Sequence, residues 1–364
     1  MKISLLSQLP PPVNGSTMVT QMHISTLISS SIEVQLIERN FSFSINEINK
    51  FRVGKIGKAF HLLWKSWREL RKNHSEMFIC YFSSSRYASI VDYLICRMAE
   101  LYSIPVVLYF HTIPTRFKSR TLISLLIRKL IRRSSNVLLG NEMKVFFSRN
   151  FGAEKIFIIP NTVTDPESRD AGLATQIEER KFRNRFAFLS NLQPEKGLEE
   201  FIEFAAHLCV MQPSAKFIVI GPVVDTEYMK SIHAKITQLN LEHSIDFKGY
   251  ITGKEKFALL LDSDFLIFTS RLIEGQPLSI LESISMGTPV LSFPSGGAKD
   301  LVKDRISGFV SADLRVLASK IEYYNRNPDL YLSLRKSTLN FYRESYSFEH
   351  YQLNWEKLIR EFLI

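Results

Sequence analysis

Cysteine is scarce in this sequence, which has three in 364 residues. They lie far apart, are odd in number and lack any C-x-x-C spacing, so neither a disulfide framework nor a zinc site is predicted, and we expect a reducing compartment. Long hydrophobic runs are also missing, because the apolar start at residues 1–6 ends before Pro10 and no run of about 18 uncharged apolar residues follows. We therefore expect a chain that is neither exported nor integral to a membrane. The three cysteines are Cys80, Cys96 and Cys209.

Signatures of several enzyme classes are missing as well. The sequence has no dinucleotide fingerprint G-x-G-x-x-G and no H-E-x-x-H, G-x-S-x-G or protein-kinase motif. Residues 249–254 resemble a phosphate-binding P-loop, but their spacing is one residue short and Glu255 replaces the Ser or Thr that binds magnesium. The D-x-D pattern at residues 262–264 precedes a predicted strand, which places it at the wrong end of the sheet for a catalytic metal. We therefore expect no metal site.

Apolar segments alternate with helix-like segments along almost the whole chain. With 45% apolar and 12% aromatic residues, the sequence predicts two domains with packed cores. The alternation predicts the α/β class, with parallel sheets covered by helices on both faces. We expect an N-terminal domain at 1–165, a polar linker at 166–181, a C-terminal domain at 182–345, and a last helix within 346–364 that packs back on the N-terminal domain. Predicted strands cover residues 3–7, 32–38, 77–82, 105–110, 136–139, 155–159, 186–190, 217–221, 245–249 and 265–268.

Positive charge is concentrated in the first half of the chain. The net charge is +10, and residues 1–170 hold 23 Lys and Arg against 12 Asp and Glu, whereas the remainder holds 23 against 24. This asymmetry predicts a polyanionic partner for the first half, either anionic lipid or nucleic acid. Because no recognised nucleic-acid-binding module accompanies the charge, anionic lipid is favoured.

Two basic segments carry this charge. Residues 51–72 place apolar side chains, two tryptophans among them, at helical spacing with cations around them, which is typical of an interfacial amphipathic helix. Residues 116–133 repeat the pattern. The alternative for both is an ordinary domain helix with its cations in water. The residues predicted to contact an anionic membrane surface are Lys55, Lys58, Lys65, Trp64 and Trp67.

The segment from Glu274 to Glu282 reads E-G-Q-P-L-S-I-L-E and follows the apolar run 265–268. That run predicts a buried strand, and Pro277 suits the first turn of a helix, so the two glutamates bracket a predicted helix N-terminus. Free N–H groups at such an end favour a diphosphate, and a carboxylate one turn further in can accept hydrogen bonds from sugar hydroxyls. The alternative for Glu282 is a capping box with Ser279, which leaves Glu274 unexplained.

Three further loops follow predicted strands, where ligands bind in parallel sheets. The first contains Gly15, whose backbone can approach a phosphate at the start of a helix, or which simply forms a turn. His111 follows the strand 105–110 and can hydrogen-bond a substrate hydroxyl, although a lone histidine is more often structural. Lys196 lies at a strand-to-helix junction, where an ammonium can neutralise a phosphate.

Together these residues resemble the retaining GT-B glycosyltransferases of family 4, which carry the E-x7-E spacing seen here between Glu274 and Glu282. The resemblance extends over nearly the whole chain. It implies the GT-B fold, in which two Rossmann-like domains with parallel sheets face a central cleft, and it agrees with the α/β pattern. Further matching pieces are Gly15, His111, 160–161 (P-N), 195–197 (E-K-G), 247–249 (F-K-G), 287–290 (G-T-P-V), 296–297 (G-G) and Gly308.

The resemblance implies roles for particular residues. A carboxylate at Glu282 would hold the ribose of a nucleotide-diphosphate sugar, while Glu274 and His111 would lie beside the transferred sugar. Many members carry an Arg where this chain has Asn191, so diphosphate binding would depend more on Lys196 and the helix end, or on Arg271. The predicted catalytic residues are Glu274, His111 and Lys196, and the predicted donor-binding residues are Glu282 for the ribose, Gly15, Gly275, Gln276, Pro277, Leu278, Arg271 and Asn191 for the diphosphate, and Tyr250 and Ile251 for the base.

The implied activity is transfer of a hexose, with retention, to a polyprenyl-diphosphate-linked saccharide in bacterial surface polysaccharide assembly, such as O-antigen, capsule or lipopolysaccharide. Lys196 and fixed backbone dipoles would stabilise charge on the departing diphosphate, so no metal or other cofactor is expected. The N-terminal domain would receive the acceptor at the cytoplasmic face of the inner membrane, where we expect a peripheral protein. The alternative is a catalytically silent GT-B scaffold on the membrane.

Overall fold

A computed structural model of the chain describes residues 1–10, 15–39, 54–72, 75–163, 175–177 and 179–362. These residues divide into two compact units. The first contains Met1–Asn161 and Tyr351–Ile364, and the second contains Thr162–His350. Most of the predicted linker at 166–181 lies outside the described residues.

Six parallel strands form the sheet of the first unit, in the order β2-β1-β3-β4-β5-β6. The central β1 lies between β2 and β3, so that Ile3 is opposite both Val34 and Met77. Since the chain leaves β1 toward one neighbour and later returns to the other, the carboxyl ends of β1 and β3 mark a topological switch point. The strands are Lys2–Ser7 (β1), Glu33–Glu38 (β2), Met77–Tyr81 (β3), Val106–Tyr109 (β4), Ser135–Leu138 (β5) and Ile156–Ile158 (β6).

Helices cover both faces of this first sheet. Four connections, through α2 to α5, advance in one direction along the sheet, and right-handed crossovers therefore place these helices on one face. The connection through α1 runs the opposite way, which places α1 on the other face. The helices are Gly15–Ser29 (α1), Gly54–Lys72 (α2), Arg86–Leu101 (α3), Leu122–Arg133 (α4) and Asn141–Phe151 (α5), with a 3-10 turn at Thr115–Lys118 before α4.

The sheet of the second unit has the order β12-β11-β10-β7-β8-β9. Its pattern is that of the dinucleotide-binding fold, with the switch point between the first strand, β7, and the fourth, β10. The strands are Arg185–Leu189 (β7), Lys216–Ile220 (β8), Ile245–Gly249 (β9), Phe265–Phe268 (β10), Val290–Ser292 (β11) and Gly308–Val310 (β12). The helices are Leu198–Met211 (α6), Thr226–Gln238 (α7), Gly253–Asp262 (α8), Leu278–Ser285 (α9), Ala298–Leu301 (α10), Leu314–Arg326 (α11), Pro328–Tyr346 (α12) and Phe348–Glu361 (α13), which continues into the first unit.

Two apolar clusters hold the second sheet between its helices. One packs Phe186 and Phe217 of the sheet against α6 and α7, and the other packs Leu266 against α8, α9 and α10. Successive residues of a strand thus pack into opposite clusters, because side chains along a strand point alternately to the two faces of the sheet. Arg335 of α12 is fully buried and donates hydrogen bonds to the backbone carbonyls of Ser263 and Leu261. These hydrogen bonds replace the water contacts that the guanidinium loses on burial.

The predicted α/β class with two parallel sheets is confirmed, with corrections at helix starts. The helix after β7 begins at Leu198, two residues after Lys196, because Pro194–Lys196 form a 3-10 turn that ends at Gly197 with a φ of 79°. Pro277 occupies the N-cap position, and its helix begins one residue later. Among the described residues, no helix has both the length and the apolar character needed to cross a bilayer.

Candidate active site

An ion pair lies at the switch point of the second sheet. The ammonium Nζ of Lys196, after β7, is 2.9 Å from Oε1 of Glu274, after β10. The hydroxyl of Ser270 donates to the same carboxylate oxygen at 2.9 Å. Both charged side chains are mostly shielded, with 18% and 20% of their surfaces exposed. The structure therefore brings together two of the three predicted catalytic residues.

Backbone contacts fix the two loops that carry this pair. The Thr269 hydroxyl donates to the Gly197 carbonyl at 2.6 Å, and the Arg271 amide donates to the Glu195 carbonyl at 3.0 Å. Gly197 is needed here, because a Cβ at this position would lie 2.0 Å from the carbonyl oxygen of Thr269. The geometry of the ion pair is therefore held by main-chain packing as well as by charge.

A third loop, after β11, packs against Glu274 and Gly275. The Gly297 amide donates to the Glu274 carbonyl at 2.9 Å. A Cβ on Gly297 would lie 1.8 Å from the carbonyl oxygen of Gly275, so any larger residue would displace that backbone. The G-G pair in the sequence is thus explained by close approach to the segment that begins the E-x7-E motif.

Glu282 lies on the fifth residue of α9 and is held from outside that helix. Its Oε1 accepts a hydrogen bond from Nζ of Lys256, on α8, at 2.7 Å. The capping-box alternative is wrong, because Ser279 lies inside the helix and the N-cap residue, Pro277, makes no side-chain cap. The segment Gly275 to Leu278 leads directly into the N-terminus of α9, as the diphosphate prediction requires.

The other predicted donor-binding residues of the second unit follow neighbouring strands. Asn191 lies in the turn after β7, where its carbonyl accepts from the Gln193 amide at 3.0 Å. Tyr250 and Ile251 follow β9, and the Tyr250 side chain is 60% exposed. Arg271 follows β10 and forms an ion pair with the buried Glu200. Arg271 and Lys196 thus each have a carboxylate partner in this structure.

Gly15 and His111 belong to the first unit. Gly15 is the first residue of α1, after β1, and residues 11–14 of its loop lie outside the described residues. His111 follows β4, and its ring stacks on Tyr81 at 4.9 Å between centroids. Burial and, after it, the charge of Arg39 lower the pKa of His111 from 6.5 to about 3. His111 is therefore a neutral imidazole near pH 7, suited to hydrogen bonding and not to acting as a cation.

A second histidine, His23 on α1, lies in the same aromatic cluster. Its Nδ1 is 2.5 Å from the Tyr81 hydroxyl, and its ring stacks on Trp355 of α13 at 3.8 Å. Burial, and then the nearby His111, lower its pKa well below the ordinary value. Sequence reasoning missed His23 and Trp355, since both lie within helices with no motif around them.

Lys256, Thr269 and Ser270 were missed as well. The positions of Thr269 and Ser270, directly after the apolar run 265–268, were a usable signal, because polar residues at a strand's carboxyl end face the ligand edge of a parallel sheet. Lys256 gave no such signal, since its partner lies 26 residues away.

Residues 174–340 match the family model described as glycosyl transferases group 1. Among curated relatives, an uncharacterized glycosyltransferase of Methanocaldococcus jannaschii is 26% identical over 65% of this chain and 59% of its own. A poly(ribitol-phosphate) alpha-N-acetylglucosaminyltransferase of Staphylococcus aureus is 26% identical over 61% of this chain and 43% of its own. The chain thus spans less than two thirds of the length of these relatives.

Solved structures share the fold over the whole chain. The HepE protein of Anabaena, in a complex with UDP-glucose, superposes with a TM-score of 0.73 over 99% of this chain and all of that one, at 18% identity. A sucrose-phosphate synthase from Thermosynechococcus elongatus gives 0.72 over 100% and 99%, at 14% identity. The GT-B fold is confirmed, and the residues that match the glycosyl transferases group 1 model lie within the second unit.

Proposed function

We propose that this chain transfers a hexose from a nucleotide-diphosphate sugar, with retention as in family 4, to a lipid-linked saccharide in bacterial surface polysaccharide biosynthesis. The observation that carries this proposal is the Lys196–Glu274 pair at the switch point between β7 and β10, directly before the N-terminus of α9. In open α/β sheets the crevice at such a point is where nucleotides bind. A cation, a carboxylate and free helix amides together match a sugar diphosphate.

The donor site divides among three groups of residues. The amides that begin α9 and the Lys196 ammonium face the diphosphate, Glu282 accepts hydrogen bonds from the ribose, and the segment at Tyr250 and Ile251 meets the base. Because HepE of Anabaena is described in complexes with UDP and with UDP-glucose, a uridine nucleotide is the first donor to test.

The chemistry follows from this arrangement. The bond between the anomeric carbon and the diphosphate breaks, and the acceptor hydroxyl oxygen forms the new bond on the same face of the sugar. The hydroxyl proton passes to the departing phosphate oxygen. Lys196 and the helix amides stabilise the negative charge that develops there, without a metal, and Glu274 orients the sugar hydroxyls.

The acceptor side of the proposal rests on the helical face formed by α2, α3 and α4, which are neighbours on the first sheet. On α2, Phe60 is 70% and Trp64 53% exposed, an unusual exposure for such large apolar side chains. The guanidinium of Arg68 lies 4.9 Å from the Trp64 ring and that of Arg71 lies 5.4 Å from the Trp67 ring. Aromatic rings with cations beside them suit the headgroup layer of an anionic membrane.

The adjoining helices extend this face. Leu122 and Leu125 of α4 are 74% and 48% exposed, and α3 exposes Tyr87 and Leu94. Between residues 101 and 141 the sequence has no Asp or Glu but seven Lys and Arg. An apolar and cationic face of this kind favours a peripheral position on the cytoplasmic face of the inner membrane, where a polyprenyl-diphosphate acceptor is presented.

A catalytically silent scaffold would not require the buried geometry around Lys196 and Glu274. Thermal unfolding of the full chain with a panel of UDP, GDP and ADP sugars tests the proposal. We expect one nucleotide series to raise the midpoint temperature, because a ligand that binds only the native state stabilises it, and we expect Glu282→Ala to remove most of that shift. If no sugar nucleotide raises the midpoint temperature and no donor is hydrolysed, the proposal of an enzyme is wrong.

Membrane contact gives a separate prediction. Reversing the charge of Lys58 and Lys65 to Glu is expected to weaken binding to vesicles that contain anionic lipid by about tenfold or more, since each basic residue near such a surface contributes about 1 kcal/mol. Vesicle sedimentation measures this. Reversal of Lys181 and Lys230, exposed in the second unit, makes the same change in net charge and is the matched control. Equal binding by both double variants would contradict the assignment. The side chain of Lys55, also predicted to take part, lies outside the described residues.

A further inference from the structure

We propose that Lys256 is a positioning residue for the nucleotide, which holds Glu282 in the orientation that accepts the ribose hydroxyls. This inference rests on the proposed function, because it concerns the same donor site. It adds a residue that neither the E-x7-E motif nor any other matching sequence piece includes.

The contact between the two residues joins two neighbouring helices. Lys256 lies in the first turn of α8 and Glu282 in the middle of α9, and Nζ is 2.7 Å from Oε1. Each side chain exposes only 16% of its surface, so the pair is well shielded from water. The ammonium also lies 5.1 Å from the centroid of the buried Phe257 ring, which limits the positions that the lysine can occupy.

The place of Lys256 along the chain links it to the base. The segment after β9 contains Tyr250 and Ile251, the residues proposed to meet the base, and α8 begins two residues later at Gly253. One short stretch therefore carries both the proposed base contacts and the ammonium that holds the proposed ribose anchor.

The hydrogen bond from Lys256 leaves acceptor positions on Glu282 for a ligand. A carboxylate has about four lone-pair sites, so a hydrogen bond from one ammonium still allows ribose hydroxyls to be bound. Lys256 thus restricts the rotation of the Glu282 side chain without competing for every acceptor position.

The experiment distinguishes a loss of contact with the ribose hydroxyls from a loss of diphosphate binding or of folding. Calorimetric titration of the full chain with UDP is compared with titration with 2′,3′-dideoxy-UDP, which lacks both ribose hydroxyls. We expect Lys256→Met to raise the Kd for UDP about tenfold and to change the Kd for the dideoxy form less than twofold. Lys256→Arg, which retains the charge, should recover part of the loss. Lys254→Met, an exposed lysine on the same turn, is the matched control and should leave both Kd values unchanged.

A second arm tests whether Lys256 acts through Glu282. In a Glu282→Gln background, Lys256→Met should produce no further rise in the Kd for UDP, since the carboxylate that it holds is already gone. Equal loss of affinity for UDP and for its dideoxy form would assign Lys256 to the diphosphate or to folding and overturn the inference. An unchanged Kd for UDP in Lys256→Met would overturn it as well. Failure of the unmodified chain to bind any nucleoside diphosphate would instead overturn the proposed function, and this inference with it.

Discussion

Replacement of Lys196 by Met is expected to lower kcat about 100- to 1000-fold, the range found when one group that stabilises transition-state charge is removed. The ammonium lies at the switch point of β7 and β10, where we propose that the negative charge of the departing diphosphate develops, and its removal takes that cation away. Glu274 would also lose this cation and keep the hydrogen bond from Ser270. Release of UDP from UDP-glucose, or from the donor selected by thermal unfolding, measures the rate.

A matched control distinguishes this effect from a general loss of positive charge. Lys216 lies in the same unit at the opposite edge of the sheet, where Nζ donates to the His243 carbonyl at 2.8 Å. Lys216→Met should leave kcat within about twofold, because exposed polar contacts contribute little to function or stability. A loss below tenfold in Lys196→Met would mean that Lys196 does not face the developing charge.

Gly197→Ala is expected to destabilise the second unit by about 2–5 kcal/mol. The residue has a φ of 79°, which costs an alanine about 1–2 kcal/mol, and the new Cβ would meet the Thr269 carbonyl oxygen at 2.0 Å, an overpacking that costs about 1–3 kcal/mol. For a unit of this size, the midpoint of thermal unfolding should fall by about 4 to 20 °C. Differential scanning calorimetry of the full chain measures it.

Gly249 supplies the comparison for that variant. Its φ is 70°, close to that of Gly197, but a Cβ there would meet nothing within 4 Å. Gly249→Ala therefore carries the backbone strain alone and should lower the midpoint by only a few degrees. Similar midpoints for the two variants would show that the close approach between the loops after β7 and β10 adds nothing to stability.

The neighbourhood of Lys196 and Glu274 was predictable because of the strands that precede them. Each residue follows an apolar strand in an alternating α/β pattern, and in such a fold the loops after strands gather at one edge of the sheet. The same reasoning placed His111 after β4 and Gly15 at the start of α1. These assignments depend on local patterns, which a single sequence displays directly.

Contacts between distant helices were not predictable in this way. The partner of Glu282 is set by how α8 packs beside α9, and the sequence instead suggested a local capping partner, Ser279, which the structure places inside the helix. The burial of His23 against Trp355 depends on the return of α13 to the first unit, across more than 300 residues of chain. Such side-chain pairings follow from tertiary packing and leave no periodic signal.

The stacking of Trp355 on His23 also bears on the order in which the protein folds during synthesis. Residues from Tyr351 onward complete the first unit, although the ribosome makes them after the whole of the second unit. Trp355 and Tyr351 are 1% and 2% exposed, so their absence would leave His23 and Tyr109 uncovered. Domains generally fold as units in the order of their synthesis. Here the first unit cannot finish its core before the second has been made, and the nascent chain must keep that aromatic surface from aggregating until translation reaches α13.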